Sequence, residues 1–246
     1  MVWPDGGPWV VATTSAEVDG TAALAALCAA ASARVAVLRV TTPEGDAAVH
    51  TRQAVAGAAS YLEARADAVT PARLDDLVRV VEALDRTHGL VLVSGDQGLL
   101  VPCGPEGWTL ADLAWALRAP VVVVTDTGPD ATNHTTLVLE VLANRGLPAA
   151  VLAVGEGGDL DGLPVALAGR IPPDAARQPR RDLARQWLDP LLQATRGAAP
   201  APTAPRRPGS AAGSSAAESS APADKPAKPA APAESAGPDR VGSAGP

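Results

Sequence analysis

The chain has 246 residues and a formal net charge of −7 at pH 7, with 20 Lys and Arg against 27 Asp and Glu. No basic cluster offsets that acidity, which argues against a nucleic-acid partner, and no apolar run reaches the roughly 18 residues needed to span a bilayer. The first residues, MVWPDGGPWV, lack the basic flank and apolar centre of a secretory leader, so a soluble, cytoplasmic protein is expected. Phenylalanine is absent and there is one tyrosine. The core must therefore be built from Ala, Val and Leu, which pack closely but bury little area per residue.

The first apolar run, WVVAT (9–13), reads as a buried strand. A loop follows, Thr13-Thr14-Ser15-Ala16-Glu17-Val18-Asp19-Gly20-Thr21, and then a helical pattern over 20–33. Asp19 suits the N-cap of that helix, and both Glu17 and Asp19 suit the positive end of its dipole. VAVLRV (35–40) is the second strand, and the alanine-rich stretch 47–66 predicts a helix. A helix at 75–86 leads to a strand LVLVS (90–94), and a helix at 109–118 leads to PVVVVT (120–125). A helix at 131–145 then leads to AAVLAV (149–154). The glycine-rich GEGGDLDG (155–162) has neither nucleotide-motif spacing nor a convincing following helix, and reads as a loop. A last helix is predicted near 180–195. The strands are continuous apolar runs, as expected when both faces of a parallel sheet are covered. Strand–helix alternation gives an α/β domain over 1–196.

From Gly197 to Pro246 the chain is almost entirely Ala, Pro, Ser and Gly. Such a segment buries too little apolar surface to offset its ordering entropy, and is expected to be a disordered tail. It would serve as a solubilising extension or as a tether. Cys28 and Cys103 lack CxxC spacing and read as small core residues. His50 and His88 are isolated and expected to be solvated.

Three loops together resemble one family. LVLVSGDQGLLVP (90–102) is similar to the dethiobiotin synthetase segment hydrophobic-Glu-Gly-Ala-Gly-Gly-Leu-hydrophobic-hydrophobic-Pro. Residues 109–148 resemble its next block, most specifically at Asn133-His134-Thr135 with Leu139-Glu140. The loop at 13–21 falls where the family has Gly-Thr-Asp-Thr-x-Val-Gly-Lys-Thr. The resemblance covers about 8–175 and is weakest over 45–75. It implies a P-loop fold, homodimers, ATP and Mg2+ as cofactors, and closure of a cyclic urea on 7,8-diaminononanoate with CO2.

By that resemblance several functional positions depart from the family. Thr13 stands for the opening glycine, Asp19 for the second glycine and Gly20 for the lysine; Thr21, the Mg2+ hydroxyl, is kept. Glycines let backbone N–H groups cradle phosphate and the lysine neutralises the β/γ oxygens. Losing a cation and gaining an acid is a two-unit swing, each unit worth about 4 kcal/mol at 4 Å and an effective dielectric of 20 before solvent relaxes. Arg39 matches a catalytic lysine, Ser94 a metal-site glutamate and Gly155 an adenine-reading asparagine. Asp96 is either a Mg2+ ligand in a shifted geometry or an exposed turn residue. Thr127 to Thr135 keeps the pattern implied to lie at the dimer interface and to receive the substrate carboxylate, through Thr132, Asn133, His134 and Thr135. Thr132 or Asn133 would cap the helix there, with or without a ligand. His134 is a candidate base, though a structural role fits it better.

The departures fall on functional positions while the apolar pattern survives. The leading expectation is a synthetase-like protein with a degraded ATP site, weakly active or inactive. It would be kept as a binding or regulatory scaffold, either as a homodimer or as a heterodimer with an active synthetase. The alternative is an active synthetase in which Arg39, Arg52 or Arg170 supplies the missing charge. A third is a P-loop-like interaction module unconnected with biotin.

Overall fold

A computed structural model describes residues 6–15, 17–41, 47–65, 72–104, 106–158, 160–175 and 180–196, without the side chains of residues 47–49, 96, 195 and 196. The predicted tail at 197–246 and Ala16 of the first loop lie outside the described residues.

Strand β1 (Gly7–Thr13) is followed by helix α1 (Thr21–Ala30), β2 (Val35–Thr41), α2 (Ala47–Ala54) and β3 (Ser60–Arg65). Next come α3 (Leu74–Asp85), β4 (Leu90–Gly98), α4 (Leu110–Leu117), β5 (Val121–Thr125) and α5 (Ala131–Asn144). The chain ends its regular structure with β6 (Ala149–Val154), β7 (Leu167–Ile171), α6 (Arg181–Trp187) and α7 (Asp189–Arg196). The seven strands form one sheet in the order β3-β2-β4-β1-β5-β6-β7, and every pairing is parallel. Helices cover both faces, so the expected architecture is the one found. No helix among the described residues is long and apolar enough to cross a membrane.

Alternate residues of each strand feed two cores. Trp9 and Val11 of β1, Val35 and Val37 of β2, and Leu90 and Leu92 of β4 pack beneath α1, α6 and α7. Val10, Ala12, Leu38, Val91 and Val93 face α3, α4 and α5. Six successive residues of α1, Ala22 to Leu27, are buried, because α2 and α6 pack against a helix that already lies on the sheet. Alanine permits this: it is the best helix former, and its short side chain allows close approach on every side. Cys28 is held there too, and burial pushes its thiol up to about 12. Both cysteines are free thiols.

Four features of the fold differ from what the sequence predicts. The stretch expected as a helix over 47–66 is helical only to Ala54, and Ser60–Arg65 is an edge strand. A second edge strand, β7, had no counterpart in the reading. The last predicted helix is two, broken at Leu188 just before Asp189-Pro190, since proline belongs in a first helical turn and not in an interior. His88 is 8% exposed rather than solvated: its Nε2 lies 3.0 Å from the Ser60 hydroxyl and its Nδ1 2.9 Å from that of Thr87.

Candidate functional site

Ligands of open parallel sheets bind beyond the carboxyl ends of the strands, where successive crossovers diverge. Here β1 leads through α1 to β2 on one side, and β4 leads through α4 to β5 on the other. A cleft of about 240 Å³ opens at that divergence. Its floor is polar because each strand of the α1 face exchanges its apolar pattern for a polar residue as it leaves the core. Thr13 follows Val11 on β1, Arg39 follows Val37 on β2, and Ser94 follows Leu92 on β4. All three line the cleft. Arg39 and Ser94 are direct register partners, and Ser94 in turn pairs with Val11.

These three side chains are buried, at 5% exposure for Thr13, 5% for Arg39 and 2% for Ser94. The Arg39 guanidinium donates through Nη1 to the hydroxyl of Thr51, itself fully buried on α2. Thr51 Oγ1 lies 3.3 Å from Thr21 Oγ1, which links the arginine to the start of α1. Thr13 Oγ1, Arg39 Nε and Ser94 Oγ have no hydrogen-bond partner among the described residues. Thr51 escaped the sequence reading. Its signal is weak: it shares a helical phase with the buried Ala54 and Val55, the phase of a core position.

Four amides of the loop above the floor are engaged within the protein. Thr14 N–H donates to the Val124 carbonyl at 3.0 Å, and Val18 N–H to the Ser15 carbonyl at 3.4 Å. Glu17 N–H donates to Ser15 Oγ at 3.3 Å. Thr21 N–H, the first amide of α1, donates to the Asp19 carboxylate at 2.8 Å. Gly20 takes the N-cap position, without a side chain to cap it. Asp19 thus supports the helix start from one residue earlier than the N-cap position expected of it. Val18 is buried, whereas Glu17 and Asp19 are exposed at the mouth.

Asp96 lies within β4, which runs on to Gly98 rather than ending at Ser94. The residue is therefore in strand and not in a turn; its side chain lies outside the described residues. Of the arginines considered as replacement cations, only Arg39 lines the cleft. Arg52 pairs with Glu63 at 3.5 Å and lies over the Tyr61 ring at 5.1 Å. Arg170 sits on edge strand β7 and donates to the Gly157 carbonyl at 2.5 Å. No group of three His, Cys, Asp or Glu side chains suited to a metal ion occurs among the described residues.

The second predicted group does not join the cleft. Thr132, Asn133 and His134 lie in the first turn of α5 and Thr135 just beyond it; the N-cap is Asp130, without a side-chain cap bond. Neither Thr132 nor Asn133 is the cap. Thr135 is buried, with its hydroxyl 2.6 Å from the Ala131 carbonyl and 2.9 Å from the Thr125 hydroxyl. Asn133 and His134 are exposed, and His134 N–H donates to the Asp130 carbonyl at 3.0 Å. Thr127, just before this turn, packs against the glycine loop. A Cβ on Gly155 (φ +129°) would lie 2.7 Å from Thr127 Oγ1, and one on Gly158 (φ +71°) would lie 2.6 Å from Thr127 Cβ. No side chain fits at either position without displacing that threonine.

A family model described as an AAA domain matches residues 10–156, from β1 past the end of β6. Over 174 residues the chain is 41% identical to the ATP-dependent dethiobiotin synthetase BioD of Rhodococcus jostii (strain RHA1), covering 63% of this chain and 75% of the relative. It is 36% identical over 217 residues to the protein of that name from Saccharopolyspora erythraea, covering 74% and 96%. Among solved structures, a chain of the MinC:MinD cell division protein complex of Aquifex aeolicus superposes with a TM-score of 0.52 at 13% identity. It covers 78% of this chain and 97% of its own, a likeness of fold alone.

Proposed function

The chain belongs to the dethiobiotin synthetase family, and on that premise we propose that it keeps the biotin-synthesis scaffold but no longer seats ATP. The observation that carries this reading is the bond from Thr21 N–H to Asp19. A helix N-terminus binds phosphate through free amides and a positive dipole end. Here an internal carboxylate already takes the first amide and brings the charge a phosphate would have brought. Three further features support the reading. Gly20 supplies no cation beside it. The Val18 and Glu17 amides are engaged within the loop. Gly155 lies so close to Thr127 that an adenine-reading asparagine would have no room there.

On this reading the protein is a weakly active or inactive relative of the synthetase, retained as a binding or regulatory partner in the cytoplasm. It acts as a homodimer or beside an active synthetase, with Thr132 to Thr135 toward the neighbouring subunit. One observation favours a second reading, in which catalysis survives. Arg39 is a buried cation that lines the cleft, and it makes no ion pair among the described residues. It would then replace the lost lysine, although guanidinium does not readily release a proton.

Expression in a biotin-requiring strain that lacks its own synthetase separates the two. Failure to restore growth without biotin, with the protein present in soluble form, is the expected result. Growth at the rate given by an active synthetase would establish the second reading instead.

A further inference from the structure

The floor of the cleft holds more hydrogen-bonding capacity than the protein itself uses. Thr13, Ser94 and Arg39 come from β1, β4 and β2, three neighbouring strands, and their side chains emerge on one face. Thr13 Oγ1, Ser94 Oγ and Arg39 Nε are all buried and all lack partners among the described residues. Leaving a buried donor without a partner is destabilising, and more so for a charged one. A buried guanidinium with no ion pair among the described residues is costlier still, since desolvation is then not repaid by Coulomb attraction. Three such groups on one floor describe a site shaped for an acceptor that carries negative charge.

The walls restrict what that acceptor is. Val11, Val18 and Leu24 line the cleft with hydrocarbon, which suits an alkyl stub better than a fully hydrated ion. Glu17 and Asp19 at the mouth repel an anion in proportion to its charge, which favours a single negative charge over several. A cleft of about 240 Å³ has room for a molecule of a few carbon atoms. Where the resemblance implies a metal-site glutamate beside a lysine, this chain has the Ser94 hydroxyl beside a buried guanidinium, so the floor keeps its cation and loses its acid.

We propose that this cleft binds a short-chain monocarboxylate, its carboxylate held by Arg39, Ser94 and Thr13 and its alkyl group against Val11, Val18 and Leu24. The proposal rests on the reading that the cleft no longer seats ATP. The carboxylate adds no covalent step: it supplies the missing acceptor and the counter-charge, and it ties β1, β2 and β4 together at their carboxyl ends.

The test is calorimetric titration of the full chain with butyrate, with chloride, phosphate and Mg-ATP at matched ionic strength as comparisons. Saturable butyrate binding is expected, with no saturable heat from chloride or phosphate. Ser94→Ala should weaken it several-fold and Arg39→Met at least tenfold, while Arg39→Lys, which keeps the charge, should recover part of the loss. If Arg39→Met fails to fold, Ser94→Ala decides, because it removes one hydroxyl and leaves the core intact. Phosphate binding as tightly as butyrate overturns the carboxylate assignment. Silence toward both butyrate and Mg-ATP overturns this proposal and leaves the loss of ATP standing. Mg-ATP displacing butyrate overturns the premise that the cleft no longer seats ATP, and saturable Mg-ATP binding with silence toward butyrate overturns both.

Discussion

Gly20 and Thr13 show how substitutions at one site become coupled. A Cβ placed on Gly20 would meet Thr13 Cγ2 at 3.1 Å, tighter than ordinary contact, so a side chain at 20 requires Thr13 to yield. Thr13 is buried and lines the same cleft. Restoring the lysine alone, as Gly20→Lys, should therefore leave ATP binding undetectable, with Asp19 still holding the Thr21 amide. The triple change Thr13→Gly, Asp19→Gly, Gly20→Lys frees the amide, the space and the charge together, and should bring back measurable binding in a nucleotide titration. Binding restored by Gly20→Lys alone would mean that Asp19 is no obstacle. Each of these departures was legible in the sequence once aligned with the family's loop. Their mutual contact, and the support of Arg39 by Thr51, were not, because they depend on which side chains share a face.

The strands that were misread are the two edges of the sheet. β1, β2, β4, β5 and β6 are buried on both faces and announce themselves as continuous apolar runs. β3 reads Ser60-Tyr61-Leu62-Glu63-Ala64-Arg65, with three of its six residues exposed, and its charges are those that guard an edge. β7 contains Gly169 and Arg170 in only five residues. Neither carries a run or a clean alternation, so periodicity had nothing to detect. α4, by contrast, has an N-terminal signal in plain view. Thr109 and Asp112 form a capping box: Asp112 N–H donates to Thr109 Oγ1 at 3.2 Å, and Thr109 N–H donates to Asp112 Oδ2 at 2.8 Å. Arg145, just beyond α5, donates to Asp112 Oδ1 at 2.7 Å. Burial alone would raise the Asp112 carboxyl, but the hydrogen bonds from Thr109 and the nearby Arg145 outweigh it and hold the carboxyl below its usual range. A lowered folded value means that stability is present above the unfolded carboxyl pKa and is lost as pH falls through the folded one. Asp112→Asn should thus cost stability at pH 7, on the order of 1 kcal/mol or less for a partly exposed cap and pair. The gap between variant and parent in urea unfolding should narrow toward pH 3. A gap that stays constant would remove Asp112 from the account.

Taken whole, the molecule is a parallel sheet covered on both faces by helices, and in the proposed function an internal carboxylate occupies the head of α1 where a phosphate would bind. The scaffold was readable because cores are repetitive: many residues repeat the same physical statement. The site was readable only in part, because its meaning lies in three single polar residues on three strands. Asp19 and Gly20 stand out beside the family's loop, whereas Thr13, Arg39 and Ser94 become one site only through the parallel register. Central to the account is that the first amide of α1 is already satisfied by an acid of the same chain. Calorimetric titration of the full chain with Mg-ATP, in the presence of 7,8-diaminononanoate and bicarbonate, tests this most directly. No saturable heat and no ADP release at millimolar nucleotide is the predicted result; micromolar binding with ADP release would contradict it.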